Sequence, residues 1–440
     1  MIVDRTTYAD LEFFSTTSGD PSLFSFLDRC RTRAGSEILH RRFREPLSDA
    51  DEIRAVQAAV AYWRKVDWTP SCDASVLAGL ETYLNSKVAA IRTTLRLDAF
   101  LESLWVRIRY KAEYGEVEAG IQYVTKFLTY MTQVVDHLPE KSPRLLRQLR
   151  DRIQSVLKST NLVRGRSMVK RSPFAVLRAD HVFRRTARRE LEQLITLLGE
   201  LDALWAMSDA CRTLNLTMPE VADGADFLLE SDGLFHLALP ESIANPVHIS
   251  RGEVLVFITG PNMAGKSTYL RAVGVACLLA HCGMGVPANR FRFSPLDRLL
   301  TSLNPTDNLR RGLSYFMAEV DRVHQAATHL AAGERCFMMF DEVFRGTNVH
   351  DAMEASRAVI TGFARSRTSG FIFASHLVEL VGELENVAEI RFACFDGEIV
   401  AGVPTYEYTL REGTSTHRFG MLLLEQAKVP ALLARIVDAR

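Results

Sequence analysis

The octet Gly260-Pro261-Asn262-Met263-Ala264-Gly265-Lys266-Ser267 fits the spacing G-x-x-x-x-G-K-[ST], with Thr268 next. Residue types at this spacing cradle the phosphates of a nucleotide such as ATP. The glycines let backbone N–H groups face the phosphates, and a following helix N-terminus adds a favourable field. Lys266 would reach the β- and γ-phosphates, and the Ser267 hydroxyl would bind Mg²⁺. About seventy residues later the apolar run Cys336-Phe-Met-Met-Phe ends in Asp341-Glu342. There Asp341 would hold Mg²⁺ through its water shell, and Glu342 would orient or deprotonate an attacking water. A third apolar run, Phe373-Ala-Ser, ends in His376. A single histidine is most often a satisfied polar residue. At the same sheet edge as the other two motifs, it could sense a γ-phosphate.

These side chains need strands to carry them. Val254–Thr259, Cys336–Phe340, Gly370–Ala374 and Ile390–Phe395 read as strands, and Thr268–Ala280 reads as the helix after the loop. Strands alternating with helical patterns imply a parallel sheet with helices on both faces, beginning near Pro219. The half before it is helical by pattern. Leu23, Phe24, Phe26 and Leu27 begin an apolar stripe that Ile38, Leu39 and Phe43 resume before Pro46. Ser48 and Asp51 resemble a capping box that opens the next helix. Ala89 to Val135 is helix-periodic, with a weak point at Gly115 and Gly120. Residues 144–158 form an amphipathic helix, Leu162–Val169 suggests a short hairpin, and His181 to Cys211 reads as one long helix of roughly 45 Å.

The chain has 440 residues, a length that suggests two or three domains. With 47% hydrophobic and 24% charged residues it is not a disordered chain. Lys plus Arg and Asp plus Glu both number 53, and a net charge of zero argues against nucleic acid as a partner. The average hides a split. Residues 144–189 hold fourteen Lys or Arg and two acids, an excess of twelve that the rest of the chain cancels. Seven scattered cysteines without a C-x-x-C pair suit reduced thiols and a cytoplasmic location. The polar, acidic start MIVDRTTYADLEFF is neither signal nor transit peptide, and no apolar run is long enough for a membrane span.

At the level of motifs the chain resembles the MutS family of DNA mismatch-repair ATPases. Thr259–Tyr269 (TGPNMAGKSTY) is close to the family's phosphate loop, and Ser294–Leu300 (SPLDRLL) and Asp341–Asn348 (DEVFRGTN) follow in order. Gly312–Val320 (GLSYFMAEV) resembles the signature loop, which implies that Ser314 reaches the ATP of the opposite subunit. His376 resembles the family's switch histidine, and Tyr408 stands at an adenine-side position. Leu27-Asp28-Arg29, Gly35, Leu39, Arg42 and Pro46-Leu47 resemble the start of the helical core domain, and Leu198–Val221 its end. Arg411–Ile436, with Gly420 and Val429-Pro430, is similar to the C-terminal helix-turn-helix that locks a dimer.

The resemblance implies a multidomain chain: an all-α helical core/lever domain, then an α/β P-loop NTPase domain of ABC type with a C-terminal helix-turn-helix. The expected bounds are 1–95 for the helical core, 96–218 for the lever helices, 219–410 for the ATPase and 411–440 for the dimerisation segment. Four departures stand out. The core signature begins within the first thirty residues, so no mismatch-reading or connector domain is expected before it. The Phe-x-Glu triplet Phe100-Leu101-Glu102 sits in a helical pattern and reads as chance. The stretch between the lever halves is short for a DNA clamp. Within the ATPase, Ser242 stands where some members have an aromatic residue, Phe344 replaces a glycine, and Leu313 replaces a basic residue.

The basic segment has two readings: a solvated lever with snorkelling arginines, or a surface contacting DNA phosphates without base readout. Arg164, Arg166, Lys170, Arg171, Arg184, Arg185, Arg188 and Arg189 are the candidate contacts. Arg184/Arg188 and Arg185/Arg189 would form adjacent rows on the helix. Twelve Arg against two Lys suit planar phosphate contacts. The expected function is an ATP- and Mg²⁺-dependent homodimer that hydrolyses ATP and grips duplex or branched DNA, alone or with a full-length MutS-type or other repair protein. That would place it in the cytoplasm, associated with the nucleoid, and away from membranes. The alternative is an ATP-switched interaction protein that docks on a partner protein and leaves DNA alone. A transporter-type ABC ATPase is a third option, against which GLSYFMAEV stands in place of LSGGQ.

Overall fold

The computed structural model describes residues 1–14, 22–66, 68–70, 72–87, 103, 105, 107–169, 172–303, 315–400, 403–415, 428–430 and 432–433. The chain divides into two compact units. One holds residues 1–25, 44–53 and 214–440, and the other holds 26–43 and 54–213.

The first unit is built on a seven-stranded sheet of β1 (Ile2–Val3), β7 (Arg298–Ser302), β8 (Cys336–Asp341), β9 (Gly370–Ser375), β5 (Leu255–Thr259), β10 (Ile390–Val400) and β11 (Val403–Glu412), in that spatial order. Every pairing is parallel except β10 with β11. The sheet is therefore mixed at one edge. A four-stranded sheet of β2 (Glu220–Val221), β6 (Arg290–Phe293), β3 (Leu229–Leu234) and β4 (Asn245–Ile249) completes the β structure among the described residues.

The central strands are apolar along their whole length because both faces are covered. On one face Leu255, Phe257, Met338, Phe340, Phe371 and Phe373 form a core with Ile360 and Phe363 of α13 (Val349–Phe363). Helix α11 (Lys266–His281) packs on β7, β8 and β9. These layers hold the strands in register, so that Ile258, Ala374 and Asp341 lie level across β5, β9 and β8.

In this division residues 1–25 and 44–53, expected within the helical core of 1–95, cluster with the sheet. Ile2 donates its N–H to Asp297 O at 2.8 Å, and Ile2-Val3 pairs with β7. Helix α1 (Arg5–Asp10) contacts β7, and buried Asp10 accepts from the Thr301 hydroxyl at 2.7 Å and the Leu303 N–H at 3.0 Å. A two-residue strand has no periodicity to read, so the sequence pattern missed it.

The second unit is helical. It contains α5 (Ala74–Leu84), α6 (Lys111–His137), α7 (Arg144–Leu157), α8 (Thr160–Met168), α9 (Pro173–His181) and α10 (Arg188–Thr213). Helix α3 (Arg33–Arg44) starts where Asp202 of α10 accepts the N–H groups of Arg31 and Thr32 and the Thr32 hydroxyl. That carboxylate answers donors at a helix start that would otherwise lack partners.

Four local readings change. Asp49, not Ser48, caps α4 (Ala50–Trp63), accepting from Asp51 and Glu52 N–H at 2.9 Å each. The stretch read as a hairpin is α8, capped by Ser159, with Leu162 buried and Gly165 against the Phe183 ring. The helix expected from His181 is interrupted by a π-helical segment at Val182–Thr186 before α10 begins. Gly120 does not weaken α6. The Tyr83 ring passes so close that a Cβ there would lie 2.0 Å from it. Phe100-Leu101-Glu102 and most of 411–440 lie outside the described residues. Among the described residues no helix is long and apolar enough to cross a membrane.

Candidate nucleotide site

The loop Gly260–Gly265 joins the C-terminal end of β5 to the first turn of α11. Gly260 and Gly265 have φ of +150° and +103°, a region that glycine enters without steric cost. A Cβ on Gly260 would also lie 2.4 Å from Phe395 O. Met263, at φ +71°, is exposed at the turn. Ala264 is fully buried and fixes the loop from beneath.

Lys266 is 5% exposed, and its ammonium donates to Gly260 O at 2.7 Å and Pro261 O at 3.1 Å. Burial lowers its pKa. Ser267 Oγ donates to Asp341 Oδ2. Asp341 Oδ1 is buried with no hydrogen-bond partner, and burial raises the pKa of the carboxyl. A hydroxyl beside a buried carboxylate oxygen that lacks a donor fits a hard divalent cation such as Mg²⁺, which takes oxygen ligands and keeps several waters.

Glu342 follows at the end of β8, with φ +52° and its N–H on Ala374 O at 2.8 Å. Its carboxylate meets two cations and a histidine ring. Lys266 Nζ is at 3.6 Å, the Arg345 guanidinium is in contact, and His376 Nδ1 is at 3.6 Å. His376, just beyond β9, is half-exposed, and burial with the nearby Arg345 and Lys266 charges lowers its pKa. The loop, Asp341-Glu342 and His376 thus converge beyond the carboxyl ends of β5, β8 and β9.

A cavity of about 560 Å³ opens beside the loop, a size that suits a small-molecule ligand. Pro261, Asn262, Met263, Gly265 to Thr268, Glu342 and Arg345 line it, as do His236, Ile243 and Tyr408. Tyr408 is 46% exposed. Its carbonyl accepts from Asn245 Nδ2 at 2.9 Å while Asn245 Oδ1 accepts the Leu410 N–H at 2.6 Å, so one amide ties β4 to β11. Ser242 accepts the His236 N–H at 2.7 Å and shapes the turn rather than offering a stacking face. His236 carries a buried Nδ1 without a hydrogen-bond partner.

Sequence reasoning singled out neither His236 nor Arg345. Arg345 lay within the quoted DEVFRGTN stretch, three residues after the acid it pairs with. Ser314 and Leu313 lie outside the described residues. Phe344, where a glycine was expected, has φ +68° and is buried, its ring 6.0 Å from Phe316.

The basic residues of the helical unit fare unevenly. Arg164, Arg166, Arg185 and Arg189 are exposed, and Lys170 and Arg171 lie outside the described residues. Arg184 is corrected as a surface contact. It is 7% exposed and pairs with Asp180 through two 2.6 Å bonds, and Tyr83 also donates to Asp180 at 2.8 Å. Arg188 is half-exposed and engages Glu192, the Leu84 carbonyl and Asn85. The π segment shifts the helical register between Arg185 and Arg188, so the two expected rows do not form.

A glycine-rich loop between a parallel strand and a helix, with acids ending the strand on the far side of β9, has the pattern of a phosphate-binding loop. The model of MutS domain V matches residues 256–439, and that of MutS domain III matches residues 6–208. The chain belongs to the MutS family. Domain V is the family's ATPase domain, which makes this a MutS-like ATPase unit joined to a helical domain III.

Proposed function

We propose that this chain works as a homodimer that binds and hydrolyses ATP and uses ATP-driven closure to change its grip on duplex or branched DNA. The task is repair of the mismatch-repair type or recombination, without mismatch reading by these residues. The convergence of Lys266, Ser267, Asp341 and Glu342 at one sheet edge supports the catalytic part. In this reading Gly260 to Thr268 hold the phosphates, Lys266 neutralises the β/γ charge, and Ser267 and Asp341 hold Mg²⁺. Bound Mg²⁺ draws charge from the γ-phosphate oxygens. Glu342 takes the proton of the attacking water or aligns it, and His376 contacts the γ-phosphate. Tyr408 stacks on adenine. Ser314 completes the site of the opposite copy, and a full-length MutS-type or other repair protein is a further partner.

Glu342→Ala tests this reading: turnover should fall at least 100-fold while ATP still binds and dimers accumulate in light scattering. Unaltered turnover in that variant would remove Glu342 as the base. For DNA, salt-titrated binding to duplex, mismatched, forked and four-way-junction DNA, with and without ATP, should show a steep salt slope and no mismatch preference.

One observation favours a second reading, an ATP-switched protein that docks on another protein. Arg184 is buried and Arg188 engages its own unit, so the exposed basic set is smaller than the sequence suggested. Charge reversal at Arg164, Arg166, Arg185 and Arg189 discriminates. A DNA affinity and salt slope unchanged by it would exclude the DNA reading at this surface.

A further inference from the structure

Glu319 lies in α12 (Tyr315–Ala331), the helix that starts one residue after Ser314. It is 1% exposed, and neither carboxylate oxygen has a hydrogen-bond partner. A buried carboxylate without close donors is costly, so what faces it matters. Facing it are the N–H groups of Phe344, Arg345 and Gly346, with the Arg345 charge nearby, and they oppose the upward push of burial on its pKa. The two segments are closely packed. A Cβ on Gly346 would lie 2.7 Å from Phe316 N, and the Phe316 and Phe344 rings are 6.0 Å apart.

The turn that Glu319 faces carries Glu342, and it is strained. Glu342 and Phe344 both occupy the left-handed region, at φ +52° and +68°. Such conformations persist only where the surroundings hold them. One end of the turn is held by the Glu342 N–H on Ala374 O. The other is held by Asn348, which caps α13 through the Asp351 N–H at 3.0 Å. Between these anchors, the N–H groups of residues 344–346 face the Glu319 carboxylate.

We infer that Glu319 is a positioning residue for Glu342: its carboxylate is buried against the N–H groups of Phe344, Arg345 and Gly346, and its charge steadies the turn that aims the Glu342 carboxylate. The inference rests on the catalytic role proposed for Glu342.

The test compares the wild-type chain, Glu342→Ala, Glu319→Gln and Glu319→Asp, measuring kcat and KM for ATP, nucleotide affinity by titration, and melting temperature. Glu319→Gln keeps the size but turns an amide toward the three N–H groups. It should lower kcat at least tenfold while KM and nucleotide affinity change less than threefold. Glu319→Asp keeps the charge and shortens its reach, and should recover part of kcat. A residue with a merely structural role would instead lower the melting temperature and leave kcat per folded molecule unchanged, which overturns the inference. Should Glu319→Gln fail to fold, Glu319→Asp decides alone: a kcat loss of threefold or more with unchanged KM supports the inference, and unchanged kcat overturns it. Wild-type turnover that Glu342→Ala leaves intact, or no wild-type turnover, overturns the catalytic reading and this inference with it. Wild-type turnover lost in Glu342→Ala but kept in Glu319→Gln overturns this inference alone.

Discussion

Lys266 Nζ and Glu342 Oε1 stand 3.6 Å apart, each on a side chain that is 5% exposed. The ammonium also bonds the carbonyls of Gly260 and Pro261, so one cation links the phosphate loop to the acid at the end of β8. Removing one partner of a buried pair costs about 3–5 kcal/mol when the other is stranded. Here Glu342 keeps Arg345 and His376, so the stability cost of Lys266→Ala should be below about 3 kcal/mol. The larger effect falls on binding. Loss of charge-assisted bonds to phosphate should weaken ATP at least 100-fold, about 3 kcal/mol. Calorimetric titration with a slowly hydrolysed ATP analogue checks this, and an affinity within threefold of wild type would refute it.

In the helical unit, Arg184→Ala should destabilise by about 3–5 kcal/mol, because it strands the fully buried Asp180 carboxylate with only the Tyr83 hydroxyl as donor among the bonds described. Arg185→Ala with Arg189→Ala should leave stability within about 0.5 kcal/mol, since both are exposed. Urea unfolding of the two variants separates the roles. If the double variant were the less stable of the two, the burial of Arg184 would not explain its role.

Much of the nucleotide site was legible because its chemistry is local. A phosphate loop needs Gly, Lys and Ser at fixed spacing, and the β8 acid pair follows an apolar run that any buried parallel strand shows. The parallel register then places Asp341 level with Ala374, which brings the acid pair and His376 to one edge without further sequence signal. What was not legible depends on partners far along the chain. Ile2-Val3 joins the sheet through β7, nearly 300 residues away. Gly165 reads as a turn residue, but its lack of a side chain serves the close approach of Phe183. Arg184 looked like one face of a basic row, although Asp180 one helical turn earlier gave a usable hint. The burial of Glu319 follows from packing alone and left no mark in the spacing.

Phe344 sets two effects against each other. A left-handed φ costs an L-residue about 1–2 kcal/mol, and Phe344→Gly would remove that strain. The ring is buried, however, and deleting a buried Phe side chain costs about 3–5 kcal/mol. Packing wins, so Phe344→Gly should be destabilised by about 2 kcal/mol, with a loosened turn that lowers kcat more than ATP affinity. Thermal melts and steady-state kinetics test both halves. A stabilised variant would mean that the strain outweighs the packing.

His281 gives the sheet-bearing unit a defined pH dependence. It is fully buried in α11, with Nδ1 donating to Cys277 O at 2.8 Å and Nε2 accepting the Leu296 N–H at 3.0 Å. The Nε2 bond requires the neutral ring, and burial pushes its pKa down to about 3. Above the ordinary histidine value of about 6.5 the ring is neutral in both folded and unfolded chains, and its contribution is fully present. Below that value the unfolded chain takes up a proton that the folded chain refuses, so stability falls as pH falls, and continues to fall toward pH 3. The slope is about 1.4 kcal/mol per unit, or about 2 kcal/mol between pH 6.5 and 5. His236 and His376 are lowered by burial as well and add to the slope in the same window, so the absolute dependence is not the test. The test is the difference from His281→Gln, which can donate and accept in place of the ring but does not titrate. Urea midpoints from pH 7.5 to 5 should fall more steeply for wild type than for this variant. Parallel slopes would exclude His281 as a source of the acid sensitivity.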